Sequence, residues 1–263
     1  MYAFEQLAGG YFAVLAGAAA FAPAHGYRRV TAAVTAVAFV GFVAVAAAYA
    51  GTTIRMWLPV AYLIAMYWLP ALLVAGEDTG PGAPASRFEQ WLSSSDVYLR
   101  SRLLPVPGRL HELVEVAYLL CYPLVPVSFA VVWLSGTPRD VDRFWLAVLT
   151  AGFACYVTLP WLVSRPPRSL AGGTATVACR TRLANVTVLR RVSHEFNTFP
   201  SGHVAVSLAA AAAVAAVQPT AGALVGGLAV AIAVGAAAGR YHYVIDVLLG
   251  VVVAVVAVAA TFQ

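Results

Sequence analysis

The sequence predicts an all-α, polytopic transmembrane helix bundle. Three observations carry that reading. Of 263 residues, 62% are hydrophobic and only 10% are charged, whereas a soluble domain carries about 25% charged residues. The apolar residues gather into eight runs close to the ~20 residues that a membrane helix needs. None of these runs alternates as barrel strands do, so helices are what would satisfy their backbones in lipid.

The first run, residues 6–24, is interrupted by Pro23 and glycines. No basic stretch precedes it, so it reads as a span and not as a cleavable signal. The second covers 31–50. Neither carries an intramembrane polar cluster, so 1–55 is expected to supply two peripheral spans beside a core of 56–263, all within one membrane domain. The third run is 56–75. A long connection, 76–112, opens on turn-forming Gly76-Glu77-Asp78-Thr79-Gly80-Pro81-Gly82. It continues through Phe88, Trp91, Leu92, Tyr98 and Leu99, which fall roughly on one helical stripe and predict an interfacial helix lying on the membrane, with a short connector packed on the bundle as the alternative.

The fourth run, 113–135, begins beside His111, Glu112 and Glu115. His111 and Glu115 are four apart and so share a helix face. A juxtamembrane anchor pair is the plainer reading, and a metal or substrate contact the sharper one. The fifth run is 143–163. The 164–200 connection that follows carries Arg165, Arg168, Arg180, Arg182, Arg190 and Arg191. The last three runs, 201–217, 221–239 and 242–262, are rich in alanine and glycine, which allow close helix packing in lipid. Cys121, Cys155 and Cys179 lack metal-type spacing. All 16 basic residues are arginine, so lysine chemistry is excluded. A net charge of +5 suits anionic lipid or a phosphorylated substrate, with no nucleic acid as partner.

Two polar islands stand out against this background. One is Phe199-Pro200-Ser201-Gly202-His203, and the other runs from Gly239 to Asp246 through Arg240, Tyr241 and His242. Ionisable groups beside a bilayer are costly and mark function. Antiparallel helices would bring both islands to one face. His242 and Asp246 are four apart, which stacks a carboxylate against an imidazole; that pairing fixes the tautomer and frees the other nitrogen to attack. His203 can act as general acid. Ser201 and the Gly202 amide open a helix whose N-terminus favours an anion. Arg165, Arg168 and Arg240 are forks suited to phosphate oxygens. The set fits phosphoryl transfer, which needs charge stabilisation above all. His194 and Asn197, just upstream, are further candidates for a head-group contact.

Arg165-Pro166, then Pro200-Ser201-Gly202-His203, then His242-x-x-x-Asp246 resemble, in that order, the motifs of the type 2 phosphatidic acid phosphatase superfamily. The resemblance extends over roughly 56–263 in layout. It implies a core of about six helices, no metal, and attack by His242 to form a phosphohistidine. Two positions depart from the common pattern. Thr158 stands where a lysine usually precedes the Arg-Pro, and Ala236 stands where an arginine usually precedes the nucleophilic histidine. Arg240-x-His242-Tyr243-x-x-Asp246 is instead similar to the sphingomyelin and inositol-phosphoceramide synthase branch, which passes a head group to another lipid. The resemblance therefore implies a lipid-phosphate phosphatase, with a head-group phosphotransferase using a lipid alcohol as the alternative. A non-enzymatic transporter is the rival from another class, but it would require charges at mid-span.

With eight spans, 13 of the 16 arginines lie on the face bearing the islands, and only Arg55, Arg139 and Arg143 on the other. The positive-inside rule places the site at the cytoplasmic face, while the resemblance implies an outer or lumenal one. The arginine-only basic set, with its alanine and valine excess, fits a GC-rich bacterial genome and hence a bacterial cytoplasmic membrane.

Overall fold

The chain is all-helical, as the composition predicts. A computed structural model describes residues 1–74, 84–103, 110–170, 180–194 and 196–263. Helices α1 (Ala3–Ala18) and α2 (Tyr27–Tyr49) form a hairpin. The third run is broken into α3 (Thr52–Trp57), α4 (Pro59–Trp68) and a 3₁₀ turn at Pro70–Leu73. The stretch after the long connection is α5 (Arg87–Leu103). Then come α6 (His111–Leu119), α7 (Cys121–Ser135), α8 (Pro138–Tyr156), α9 (Arg180–Val192), α10 (Gly202–Val217), α11 (Pro219–Ala238) and α12 (Val244–Thr261). The predicted Gly-Pro turn at 76–82 lies outside the described residues.

Every expected run contains a helix, but fewer than eight qualify alone as spans. Tyr27–Tyr49, Thr52–Leu73, Pro219–Ala238 and Val244–Thr261 are long and apolar enough, and a fifth span results if α6 and α7, bent by 54°, are taken together. This is a multi-pass membrane protein. The three shortfalls have plain causes. Helices α1 and α10 have 16 residues each, about 24 Å at 1.5 Å per residue against a hydrocarbon core of ~30 Å. Helix α8 carries Arg139, Asp140, Asp142 and Arg143 in its first turns. The α6–α7 bend follows from Pro123, which cannot donate to the Leu119 carbonyl and crowds it.

The short α10 is the central helix. It is enclosed by α7, α8, α11 and α12, and its Ala205, Ala209, Ala210 and Ala213 are buried. Alanines here let four neighbours approach at once. Because α10 has 16 residues beside the 20 of α11, its N-terminus lies recessed, by about 6 Å on the helical rise. Helix α1 packs on α2, α4 and α8, with Phe4, Tyr11, Phe12 and Leu15 in the main core and the Tyr11 hydroxyl on the Met66 carbonyl at 2.9 Å. Helix α2 lies outermost.

The two ends of the bundle differ in chemistry. At one, Glu5 pairs with Arg55 at 2.6 Å, Asp142 accepts the Ala3 and Phe4 amides, and Arg143 lies over the Phe262 ring. Both chain ends therefore meet where α8 starts. The polar islands gather at the other end. There α5 packs on α12; its Glu89, Leu92 and Asp96 are buried, and Trp91 and Tyr98 of the predicted stripe are exposed.

Candidate active site

The site forms where α12 begins beside the recessed start of α10. The approach depends on Gly250, since a Cβ there would sit 2.8 Å from the Ser201 carbonyl and 3.2 Å from Val204 Cβ. Gly202 is needed for a similar reason. A Cβ would collide with the Tyr156 ring packed against it. The Ser201 amide donates to the Asp246 carbonyl at 3.2 Å, tying the two islands through their backbones.

Three side chains then line up. His242 Nδ1 lies 2.8 Å from Asp246 Oδ2, and Asn197 Nδ2 donates to the same oxygen at 2.8 Å. With the carboxylate accepting, Nδ1 of His242 carries the proton and Nε2 presents its lone pair. That Nε2 is 3.3 Å from His203 Nδ1, so His203 donates across the gap. Asp246 is fully buried and His242 only 4% exposed. The order carboxylate–imidazole–imidazole is a backed nucleophile facing an acid.

The surrounding cup is lined by Arg168, His194, Thr198 and Tyr241 along with the two histidines. The Arg168 amide donates to the Arg240 carbonyl at 3.1 Å, and its guanidinium lies 5.0 Å from the centre of the Tyr241 ring. Tyr241 stacks flat on Tyr118 at 4.0 Å and donates to Glu115. Glu115 in turn holds Arg182 at 2.8 Å and Asn185 at 2.6 Å. Arg240 adopts φ 59°, a left-handed conformation unfavourable without a glycine. Such backbone strain clusters at functional sites; here it turns the Arg240 carbonyl to Arg168.

The expected site residues separate into distinct places. His203, His242 and Arg168 line the cup, and Asp246 backs His242. The Ser201 hydroxyl is buried without a partner among the described residues. The Gly202 amide donates to Thr198 Oγ1 at 3.3 Å. Arg240 meets the site through its backbone. Arg165 is turned toward α5, where its amide, Nε and Nη2 donate to Glu89 at 2.8, 3.0 and 3.1 Å. Burial would raise the Glu89 carboxyl, but Arg165 and the Ser86 and Arg165 amides outweigh it and hold its pKa below the ordinary carboxylate value. Thr158, at the usual lysine position, donates to the Phe199 carbonyl at 2.6 Å and so secures the loop leading into Ser201.

Several supporting residues were not singled out from the sequence as such. Asp96 accepts the Val244 amide at 2.9 Å, capping α12 from a different helix, and Arg100 locks it. Glu89 and Asp96, seven apart in an otherwise amphipathic helix, were the readable signal. Asn197, expected at a head group, holds Asp246. Glu115, expected as a surface anchor, is 3% exposed and braces Tyr241; the His111 side chain lies outside the described residues.

A family model described as the PAP2 superfamily matches residues 86–260, about two-thirds of the chain. The chain belongs to the PAP2 superfamily. No curated protein and no solved structure matches it. PAP2 membership brings a phosphatase-type activity in general terms, and the matched range spans all three polar stretches, from α5 through α12.

Proposed function

We propose that this PAP2 protein is a lipid-phosphate phosphatase working through a phosphohistidine. The observation that carries the lipid reading is a groove of about 500 Å³ that meets the cup at Tyr67 and His203. Its walls are Val60, Leu63, Ile64, Val125 and Val206, and it runs between helices α4, α7 and α10. An apolar slot ending at a cationic, imidazole-lined cup suits a molecule with a tail and a phosphate head.

The phosphoryl group enters between the two imidazoles and replaces their mutual contact. His242 Nε2 then attacks phosphorus, and the bond from phosphorus to the lipid oxygen breaks. The proton on His203 Nδ1 passes to the departing alkoxide. Asp246 steadies the proton on His242 Nδ1 as positive charge develops. Arg168 supplies the charge for the phosphoryl oxygens, and Arg240 fixes Arg168 through the backbone. In the second half, a water gives its proton to His203 and attacks phosphorus; the P–N bond breaks and phosphate leaves.

A second reading, transfer to a lipid alcohol, is favoured by Arg240 standing two residues before His242. It shares the first half-reaction and differs only in the acceptor. Purified protein assayed on a panel of lipid phosphates without added metal tests both. Phosphate release that vanishes in His242→Ala supports hydrolysis, and a new phospholipid in place of free phosphate supports transfer. Undiminished turnover in that variant removes the nucleophile, and strict dependence on a divalent ion removes the proposed chemistry.

A further inference from the structure

His194 lies between the end of α9 and the Asn197–His203 stretch. Its ring stacks on Tyr67 at 4.2 Å with an interplanar angle of 17° and meets Trp68 edge-on at 6.0 Å. The residue is only 9% exposed. Neither Nδ1 nor Nε2 meets a partner in good hydrogen-bond geometry among the described residues, the backbone of Phe196 and of His194 itself giving only weak polar contact, although the residue lines the cup with Arg168 and His203. A buried polar group left unmatched is expensive, and in native proteins it calls for an explanation. The two aromatic rings that hold it, Tyr67 and Trp68, also wall the apolar groove. His194 therefore stands at the junction of head cup and tail slot.

We infer that His194 is a binding residue that hydrogen-bonds an uncharged oxygen of the substrate, an ester or hydroxyl oxygen lying next to the phosphate on the lipid side. This deepens the proposed function and rests on it. The chemistry selects an uncharged partner. Burial keeps the imidazole neutral, its pKa pushed down to about 4, and the nearby backbone of Phe196 and of His194 itself offsets this only in part. A neutral ring offers one donor and one acceptor but little attraction for a dianion, which Arg168 serves. Stacking on Tyr67 fixes the plane of the ring beside the cup.

The test compares three ligands by calorimetric titration of the full chain in detergent, in a His242→Asn background that halts turnover. Inorganic phosphate fills the cup alone, dodecyl phosphate adds a tail without further oxygens, and dioctanoyl phosphatidate adds ester oxygens beside the phosphate. His194→Phe, which keeps the stack and deletes both nitrogens, is expected to weaken the phosphatidate about 3- to 10-fold, the worth of one neutral hydrogen bond. Phosphate and dodecyl phosphate should change less than twofold. His194→Gln, which keeps a donor and an acceptor, should recover part of the loss. Ratios between ligands within one variant do not depend on the folded fraction, so a destabilised variant still reports. Equal weakening of all three ligands, or of none, overturns the role for His194. Failure of the parent protein to bind any of them overturns the lipid-phosphatase reading itself.

Discussion

Replacing Asp246 by Asn separates the charge of this residue from its shape. In the structure, Asp246 Oδ2 accepts both His242 Nδ1 and Asn197 Nδ2, each at 2.8 Å, while Oδ1 has no partner among the described residues. An asparagine can keep its carbonyl oxygen in the Oδ2 place and satisfy both donors, with its amide nitrogen taking the place of Oδ1. The fold and the His242 tautomer are thus preserved, and only the negative charge behind the imidazole is lost. The charge matters when His242 becomes cationic on attacking phosphorus. An equivalent substitution in a carboxylate-backed imidazole lowers kcat by about 10⁴ where it also reverses the tautomer. With the tautomer kept here, a fall of roughly 10²–10³ is expected, within the range for positioned acid–base groups. Asp246→Ala differs in kind, because it strands two buried donors at about 1–3 kcal/mol each and should lower Tm as well as kcat. Phosphate release and thermal unfolding are measured side by side on the same preparations. Wild-type kcat in the Asn variant, at unchanged Tm, would refute the reasoning that Asp246 acts electrostatically on His242.

Glu89→Gln should destabilise the protein by about 1–3 kcal/mol, since it removes the charged acceptor of three Arg165 N–H groups, read as a drop in Tm at pH 7. Because the Glu89 pKa is held below its unfolded value, that stabilisation is present above the ordinary carboxylate range and fades as pH falls through the folded pKa, so parent and variant should converge in acid; a constant gap down to pH 3 would contradict this. Gly202→Ala should cost about 1–3 kcal/mol by overpacking against Tyr156, and an unchanged Tm would mean that the ring moves freely. His194, depressed to about 4, protonates more readily unfolded than folded, so it withdraws stability between about pH 6.5 and 4, by on the order of 3 kcal/mol at full extent. His194→Phe should flatten that part of the Tm–pH curve, and a slope unchanged from wild type would show that other groups set it.

The helical class and the clustering of the two islands were legible because they rest on local chemistry. Apolar runs in a chain with 10% charged residues leave the backbone few choices, and His242 and Asp246, four apart, do meet, although His242 lies in the turn just before α12 and not in the helix. What was not legible depended on pairing across long separations. Arg165 and Arg168 are equivalent forks in the sequence; Glu89, 76 residues away, decides between them by holding Arg165 against α5. The Gly202 amide looks free at a helix start, but Thr198 reaches it. The stripe read along α5 follows hydrophobicity and says nothing of the face turned to the protein, which holds two carboxylates because an ion pair and a helix cap lie opposite them. The number of helices long enough to span alone differs from the number of apolar runs for another reason. A central helix surrounded by protein need not match the bilayer, so the apolar length of α10 says where it sits and not whether it crosses.

That last point bears on why the cup exists. A helix as long as α11 in the place of α10 would carry its N-terminus, with Ser201 and His203, level with the ends of its neighbours and into the head-group region. The shorter helix stops early, the Asn197–Pro200 segment leads into it with Asn197 and Thr198 bonded to Asp246 and Gly202, and the turn before α12 supplies His242. The charges are delivered from outside the spans: Arg168 from the short 3₁₀ turn after α8 and Arg182 from the first turn of α9, lying over the Tyr241 ring at 5.0 and 5.6 Å. Cations stacked on a buried aromatic hold their place without a lysine at position 158. The tyrosine that follows Arg240 is thus as much a part of the charge arrangement as the arginines are. Tyr241→Leu, which removes the ring face and the hydrogen bond to Glu115, should loosen both guanidiniums and weaken inorganic phosphate binding about 10-fold or more, whereas Tyr241→Phe, which keeps the face, should stay within a few-fold of the parent. Equal losses in the two variants would assign the effect to the Glu115 hydrogen bond instead of the ring.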